Sequence, residues 1–383
     1  MAEYKKTGSC KVLVVTGCMA QRYKNEIIEE VPEVDAVLGT TSYGDILKAI
    51  REAMEGKHFQ EFKDIDYLPE KLGKRVLTTG GHFGYLKIAE GCDKHCTYCI
   101  IPKLRGKFRS VPMERLVTQA KEMAEEGVKE LILVAQETTV YGTDIYGKKS
   151  LHILLKELCK IKGIRWIRVL YCYPEEIYDE LIQTIKEEKK ICHYLDLPIQ
   201  HASDRILKRM GRRTTQAELV EIVNKLRREI PDIVLRTTLI SGFPGETQED
   251  HEELMSFVDE MEFDRLGVFT YSPEEDTPAA TMPDQVAEEV KEARRDEIME
   301  LQQEISYDKG TDRIGQELLV MIEGKVADES AYIGRTYGDA PKVDGYIFVQ
   351  TGELLMTGDF AKVRVTGALE YDLIGELADE YTE

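Results

Sequence analysis

The sequence is organised around one cysteine-rich stretch, which reads Ile88-Ala-Glu-Gly-Cys92-Asp-Lys-His-Cys96-Thr-Tyr98-Cys99-Ile-Ile-Pro102-Lys-Leu-Arg105. Its three cysteines form a Cys-x3-Cys-x2-Cys array directly after a short apolar strand. Thiolates this close together on one loop can converge on a single metal centre. Structural zinc takes four ligands, and neither a fourth cysteine nor a suitably spaced histidine pair follows. Three thiolates suit a [4Fe–4S] cluster with one iron left open, because cluster irons are usually held by cysteine.

This spacing, with Tyr98 directly before the last cysteine, resembles the signature of the radical SAM superfamily. The resemblance implies that Cys92, Cys96 and Cys99 ligate the cluster and that the open iron binds S-adenosylmethionine (SAM). It also implies that Tyr98 packs near the adenine of SAM, whose reductive cleavage gives a 5′-deoxyadenosyl radical. A zinc site completed by an outside ligand, or a cluster used only for electron transfer, would be the alternatives.

The length and net charge of the chain limit the possible number of domains and the possible partners. A chain of 383 residues suggests two or three domains. Its net charge of −20 disfavours contact with nucleic-acid phosphates and favours basic partners. No apolar stretch approaches the roughly 20 residues of a membrane span. We expect no signal peptide, since the sequence does not open with a basic segment followed by an apolar one. Eight cysteines that include a metal array indicate a reducing compartment, so we expect a cytoplasmic protein with no membrane partner.

Residues 1–80 alternate between short strands and helices, which indicates a parallel sheet. The predicted order is an apolar strand that starts at Lys11 and ends in Gly17, a helix over 21–30, a strand over 36–39 and a helix over 43–54. This piece is too small for a complete doubly wound domain. The polar residues 57–80 are predicted to form a linker.

Residues 81–310 repeat the strand–helix rhythm at a larger scale, and the fold class is therefore α/β. The predicted strands are Tyr85–Ala89, Glu130–Ala135, Trp166–Leu170, Tyr194–Leu197, Val234–Ile240 and Arg265–Phe269. Six such units fit a partial (β/α)6 barrel, the fold that the resemblance implies. A charged helix is predicted over 288–306. Residues 311–383 contain short strands broken by glycines, which predicts a small antiparallel β-barrel.

Polar residues at the carboxyl ends of the strands are candidates for binding the cofactor, since parallel α/β folds carry their chemistry there. After the second strand, Gln136 and Glu137 stand where radical SAM enzymes place a Gly-Gly-Glu-like motif for the methionine amino group. An exposed helix cap at Thr138 is the alternative.

The later strands supply the remaining cofactor-binding candidates, which are Gln200, Arg212, Arg236 and Ser241. An arginine inside a barrel needs an anionic partner, and the SAM carboxylate is the natural candidate for Arg236. The alternative is an arginine–glutamate pair at a tight turn. No catalytic residue is expected beyond the cluster and SAM.

Several motifs together resemble the methylthiotransferases, a radical SAM branch with an N-terminal flavodoxin-like domain and a C-terminal TRAM barrel. They are Cys92–Cys99, Gln200–Ser203, Met210–Thr214, Gly242–Glu246 and Gly334–Thr336. The resemblance spans nearly the whole chain and implies domains at 1–80 (incomplete flavodoxin-like), 81–310 (radical SAM core) and 311–383 (TRAM). It also implies a reductant such as flavodoxin or ferredoxin.

Within that branch, one group modifies an aspartate β-carbon of the small-subunit ribosomal protein S-twelve (the RimO type) and another modifies tRNA adenosine (the MiaB type). The segments 100–106, 169–174 and 334–345 resemble the RimO type. Residues 317–383 carry five lysines or arginines against fourteen acidic residues, a net charge of −9. An RNA-binding barrel should be basic. We therefore expect a basic ribosomal protein as substrate, with tRNA, or a non-catalytic Fe–S or zinc scaffold, as alternatives.

A second [4Fe–4S] cluster, which carries the sulfur, is implied by the family and is held by three N-terminal cysteines. Only Cys18 matches one of these three positions. Cys10 cannot easily replace another, since eight residues of extended strand separate it from Cys18 by roughly 26 Å. We therefore expect an N-terminally truncated member of the family that cleaves SAM but lacks full methylthiotransferase activity.

Overall fold

A computed structural model of the chain describes residues 1–68, 76–78, 80–327 and 329–382. Its strands are β1 (Val14–Thr16), β2 (Ala36–Leu38), β3 (Phe59–Glu61), β4 (Phe83–Lys87), β5 (Ala89–Glu90), β6 (Arg109–Ser110), β7 (Glu130–Val134), β8 (Trp166–Val169), β9 (Ile191–Asp196), β10 (Val234–Ser241), β11 (Arg265–Thr270), β12 (Glu317–Lys325), β13 (Ala331–Arg335), β14 (Ile347–Gln350), β15 (Phe360–Ala368) and β16 (Leu373–Thr382).

The helices connect these strands. They are α1 (Glu3–Thr7), α2 (Cys18–Tyr23), α3 (Glu26–Glu30), α4 (Ile46–Met54), α5 (Ile101–Arg105), α6 (Met113–Glu125), α7 (Thr143–Tyr146), α8 (Leu151–Cys159), α9 (Asp179–Glu187), α10 (Asp204–Arg209), α11 (Gln216–Glu229), α12 (Gln248–Met261) and α13 (Glu288–Thr311). None of the helices in the described part of the chain combines the length and apolar character needed to cross a lipid bilayer.

The chain divides into two compact units. The first comprises Met1–Val76 with Ala89–His95 and Cys99–Val111, and the second comprises Leu77–Ile88, Cys96–Tyr98 and Pro112–Glu383. The domain boundaries predicted at residues 80 and 310 stay predictions.

A three-stranded parallel sheet with the order β1-β2-β3 forms the centre of the first unit. The three residues of β2 are fully buried and pack against α2 and α4, as is typical of a central strand in a parallel sheet. The predicted linker over 57–80 is wrong in part, because β3 lies within it and pairs with β2. Residues 69–75 and 79 of that linker lie outside the described residues. The helix predicted over 21–30 is broken at Lys24, whose φ is 42°.

Six parallel strands form the main sheet of the second unit, in the order β11-β10-β9-β8-β7-β4. Each of the six predicted strands is present, with bounds that differ by a few residues at most. Their apolar runs are buried, as is typical of the strands of a parallel sheet. Two of the helices begin with a capping box, which Thr215 and Glu218 form at α11 and Thr247 and Asp250 form at α12. The partial (β/α)6 barrel is confirmed.

A closed five-stranded barrel with the order β12-β13-β14-β16-β15 follows the long helix α13. The prediction of a small C-terminal barrel is confirmed, although it is not wholly antiparallel, since β14 and β16 pair in parallel. Apolar residues from this barrel complete a core with the six-stranded sheet. For example, Phe360 packs edge-on against Trp166 with ring centroids 4.9 Å apart.

Buried ion pairs tie the same barrel to the sheet. Glu130, at the start of β7, accepts hydrogen bonds from Arg168 Nε (2.8 Å) and from Arg335 Nη2 (2.7 Å), and all three side chains are fully buried. Burial alone would raise the pKa of Glu130, but the guanidinium groups of Arg335 and Arg168 outweigh it and hold that pKa below its usual range. The carboxylate therefore stays charged at neutral pH.

Candidate functional site

The cysteine loop begins where a glycine makes a close backbone approach possible. Gly91 has a φ of 78°, and the next residue, Cys92, donates its N–H to the Gly106 carbonyl at 3.1 Å. The antiparallel pair of β5 with β6 lies beside this contact. Cys92 is buried and its sulfur accepts a hydrogen bond from the Lys94 N–H at 3.4 Å, while Cys99 is half-buried.

The donor set of the loop fits a cluster with an open position, since it offers three thiols and no fourth. No group of three histidine, cysteine, aspartate or glutamate side chains in the described residues is arranged to hold a metal ion. The assignment of Cys92, Cys96 and Cys99 to a cluster therefore stays a prediction that rests on the spacing of the thiols.

Around Cys96, the second unit assembles a phenol and a guanidinium. Cys96 is buried, and its sulfur lies 3.5 Å from the hydroxyl of Tyr173, which follows β8. The guanidinium of Arg212 lies 4.2 Å above the Tyr173 ring, a cation–π contact. Tyr173 was not among the sequence-based candidates for the site, although it lies just past the third predicted strand and within the segment 169–174 that resembles the RimO type.

Arg212 has the geometry of an anion-binding residue. Its Nη2 donates weakly to Glu175 (3.4 Å) and to the Pro198 carbonyl (3.3 Å), and its Nε and Nη1 are buried without a hydrogen-bond partner among the described residues. Burial alone would lower the pKa of Arg212, but Glu175 and neighbouring groups outweigh it and raise that pKa. Buried donors of a charged group are costly when unmatched, so this site is suited to an anionic ligand.

Tyr98 lies in an aromatic cluster of the second unit. Its ring packs edge-on against Phe243, with centroids 6.3 Å apart, and Phe243 packs in the same way against Tyr271. The Tyr98 backbone is anchored through its neighbour Thr97, which bonds to the Met210 carbonyl through its N–H (2.9 Å) and to the Arg209 carbonyl through its hydroxyl (2.8 Å). Its predicted contact with adenine stays a prediction.

The segment after β7 holds the two predicted ligands of the methionine amino group. Glu137 is buried, and its carboxylate accepts hydrogen bonds from the N–H (2.9 Å) and the hydroxyl of Thr139. Gln136 is half-buried. Thr138 bonds to the Tyr171 carbonyl with both its N–H and its hydroxyl, so this segment is fastened to the end of β8 rather than forming an exposed helix cap.

Gln200 continues the line of β9 with an unusual backbone. Its φ is 74°, and its N–H and carbonyl bond to Thr238 and Ile240 of β10 at 2.9 and 2.8 Å. The next residue, His201, is fully buried; its Nδ1 accepts from two backbone N–H groups and its Nε2 faces Glu246 at 3.6 Å. His201 is therefore a structural residue.

Two predicted SAM contacts have partners within the chain. Arg236 lies near the start of β10 and is ion-paired with Asp196 (2.7 Å) and with Asp344 (3.4 Å) of the C-terminal barrel. The anionic partner that we expected from the cofactor is thus supplied by two carboxylates of the chain itself. Ser241 is fully buried and its hydroxyl donates to the Lys291 carbonyl at 2.9 Å. The predicted contacts of Arg236 and Ser241 with SAM stay predictions.

Cys18 lies at the first turn of α2 in the first unit. Its sulfur accepts a hydrogen bond from Arg105 Nε at 3.3 Å, and Arg105 also lies 3.5 Å from Glu90. The predicted role of Cys18 in a second cluster stays a prediction.

Comparison with known proteins adds independent information. The family model of the radical SAM superfamily matches residues 86–258, and that of the TRAM domain matches residues 314–378. A relative from Lachnoclostridium phytofermentans, named ribosomal protein uS12 methylthiotransferase RimO, is 65% identical over 375 residues, which are 98% of this chain and 85% of the relative. The chain belongs to the RimO family.

A second RimO, from Clostridium perfringens, is 53% identical over 382 residues, which are 99% of this chain and 85% of that protein. Among solved structures, the cobalamin-dependent S-adenosylmethionine radical enzyme OxsB with aqua-cobalamin bound has a TM-score of 0.48 at 14% identity, over 79% of this chain and 44% of that one. Membership of the RimO family makes this chain a radical SAM enzyme of the methylthiotransferase class.

Some of the acidic side chains of the C-terminal barrel lie in the interior of the protein, which the sequence alone does not reveal. Asp339 pairs with Arg265, Asp344 pairs with Arg236, and Glu323 pairs with Arg335 and with a histidine. These carboxylates pair with arginine side chains that are at most 18% exposed, so their charge is compensated within the protein. The surface of this RimO barrel is therefore less acidic than its net charge of −9 implies.

Proposed function

We propose that this chain adds a methylthio group to the β-carbon of an aspartate in ribosomal protein uS12, with SAM and a [4Fe–4S] cluster held by Cys92, Cys96 and Cys99. The name of the relatives supports the substrate. The observation that best supports the cofactor site is the buried Arg212. Two of its nitrogens have no hydrogen-bond partner among the described residues, and its guanidinium packs on Tyr173, the residue that contacts Cys96.

When bound, the cluster and SAM supply the one-electron chemistry that removes a hydrogen atom from an unactivated carbon. The chain's own residues bind and orient. Arg212 offers two N–H groups to an anionic group such as the SAM carboxylate. Burial raises the pKa of Tyr173, so its phenol keeps its proton and can donate to the Cys96 sulfur. Thr139 orients the Glu137 carboxylate, which suits it to accept from an ammonium group.

The other predicted SAM-binding residues have less support from their contacts. Tyr98 offers a ring fixed by Phe243, and Gln136 and Gln200 are half-buried at strand ends, where they could reach SAM. In this proposal Arg236 and Ser241 support the structure around the site through their contacts within the chain. A low-potential reductant such as flavodoxin or ferredoxin would supply the electron, and Cys18 would contribute to a second cluster.

The proposal is tested by anaerobic reconstitution with SAM and reductant, followed by measurement of 5′-deoxyadenosine with uS12 or tRNA present. We expect about four irons to depend on the three cysteines and uS12, not tRNA, to stimulate SAM cleavage. The test variant is Cys92→Ala/Cys96→Ala/Cys99→Ala. The matched control is Cys159→Ala, since burial raises the pKa of that thiol to about 12 and makes it a poor ligand.

Stimulation by tRNA alone would assign the MiaB-type substrate instead. Iron that binds without any SAM cleavage would support the scaffold alternative.

A further inference from the structure

The turn after β8 holds a strained residue. Tyr171 has a φ of 59° and a side chain that is 47% exposed. A bulky residue in the left-handed region is strained and persists only where its surroundings hold it. Such backbone strain is therefore evidence that neighbouring groups fix this turn.

Two neighbouring strands fix the peptide groups of this residue. The Tyr171 N–H donates to Asp196 Oδ2 at 3.0 Å, at the end of β9. Its carbonyl accepts from Thr138 N (3.1 Å) and Thr138 Oγ1 (3.0 Å), just past β7. The N–H of Cys172 bonds to the backbone carbonyl of Asp196 at 2.9 Å. Among the described residues, the Asp196 carboxylate is the side-chain group that accepts the Tyr171 N–H.

Asp196 is held in turn from the C-terminal barrel. Arg236 Nη1 lies 2.7 Å from Asp196 Oδ1, and Arg236 Nε lies 3.4 Å from Asp344 Oδ1. The other oxygen of Asp344 accepts from the Tyr194 hydroxyl and the Ala340 N–H, both at 2.8 Å. The side chains of Asp196 and Asp344 are 4% and 3% exposed, so one guanidinium bridges two buried carboxylates.

The turn carries the residue that reaches the cysteine loop. Two positions after Tyr171, the Tyr173 N–H bonds to Thr139 Oγ1 at 3.1 Å. The Tyr173 hydroxyl lies 3.5 Å from Cys96 Sγ and its ring lies under Arg212. Any relaxation of the strained Tyr171 backbone would move this side chain.

We propose that Asp344 of the C-terminal barrel is a positioning residue: through Arg236 and Asp196 it holds the strained turn at Tyr171 and so sets Tyr173 beside Cys96. The effect on the cofactor rests on the proposed function, whereas the holding of the turn does not. The barrel thereby contributes to the radical SAM site without touching the cofactor.

Asp344→Asn tests the first step in the full chain, by amide hydrogen exchange of the segment 170–174. We expect exchange there to speed up roughly tenfold, since a charge-assisted link is lost. Asp339→Asn is the matched control. Asp339 lies on the same loop, is equally buried and pairs with Arg265 at 2.6 Å, but among the described residues it makes no direct ion pair or hydrogen bond with Arg236 or Asp196. Equal exchange in both variants, or no change in Asp344→Asn, would overturn the proposal.

A milder variant covers the case in which Asp344→Asn does not fold. Arg236→Lys keeps the charge but cannot bridge two carboxylates with a planar fork, and should loosen the same segment several-fold. Unchanged exchange in a folded Arg236→Lys protein would contradict the relay.

The second step is read in the reconstituted enzyme. We expect Asp344→Asn to raise the KM for SAM in 5′-deoxyadenosine formation several-fold and to alter the SAM-induced change of the cluster's EPR signal, while Asp339→Asn does neither. A looser turn with unaltered SAM binding would overturn the positioning role. Failure of the chain to act on uS12 would leave the exchange result untouched, so the two failures are distinguishable.

Discussion

Replacing Gly91 by alanine should damage the cysteine loop without removing a ligand. A Cβ built at Gly91 would lie 2.6 Å from the Gly106 carbonyl oxygen and closer still to that of Lys107. Restoring ordinary contact requires these carbonyls to move by roughly 1 Å. The Gly106 oxygen also accepts the Cys92 N–H, so the same shift breaks the bond that places the first cysteine.

The loss of folding stability expected for Gly91→Ala has two contributions. Alanine in the left-handed region costs roughly 1–2 kcal/mol, and overpacking against fixed backbone adds roughly 1–3 kcal/mol. Gly127→Ala is the matched control, because its φ is 99° and a Cβ there meets nothing within 4 Å. It should show only the first contribution.

The assay combines urea unfolding of the apo chain with iron per chain after anaerobic reconstitution. We expect Gly91→Ala to lose both more stability and more iron than Gly127→Ala. Equal losses in the two variants would refute the reasoning, since the backbone conformation alone would then explain the effect.

Three further predictions concern buried charges. Glu130→Gln should cost about 3–5 kcal/mol in urea unfolding, because Arg168 and Arg335 lose their shared carboxylate; a cost under about 1 kcal/mol would contradict this. The pKa of Glu130 is lowered in the folded state, so its stabilising effect is fully present above its unfolded pKa near 4.5 and is lost as pH falls through the folded pKa. Measuring the free energy of unfolding as a function of acid pH checks this. The Glu130→Gln variant should lose less of its unfolding free energy on acidification than the unmodified chain. Arg212→Lys should raise the KM for SAM roughly tenfold while Tyr173 stays in place, since lysine cannot offer two N–H groups in a planar fork; an unchanged KM would remove Arg212 from the SAM site.

Much of the fold is predictable because buried parallel strands carry a strong local signal. The run Glu130–Val134 is apolar except at its first residue, and the predicted bounds differ from it by one position. The strand Phe59–Glu61 was missed because it is three residues long and mostly polar. Its formation depends on pairing with β2, which a local pattern does not encode.

The roles of polar residues were harder to predict, because their partners lie far along the chain. Arg236 does need an anionic partner, as its place in a strand indicates, but Asp344 supplies one from the C-terminal barrel. Ser241 is likewise bound to the backbone of α13. Tyr173 was overlooked because a phenol near a cysteine becomes visible only once β8 is placed in the sheet.

The proposed reaction is tested most directly by tracing the hydrogen atom that is removed from the aspartate β-carbon. Ribosomal protein uS12 with aspartate deuterated at the β-carbon is incubated with the reconstituted chain, SAM and reductant, and 5′-deoxyadenosine is analysed by mass spectrometry. The account predicts deuterium in 5′-deoxyadenosine, and none when Cys92, Cys96 and Cys99 are replaced by alanine. 5′-Deoxyadenosine that forms in the presence of this uS12 but carries no deuterium would contradict the assignment of the aspartate β-carbon as the site of reaction.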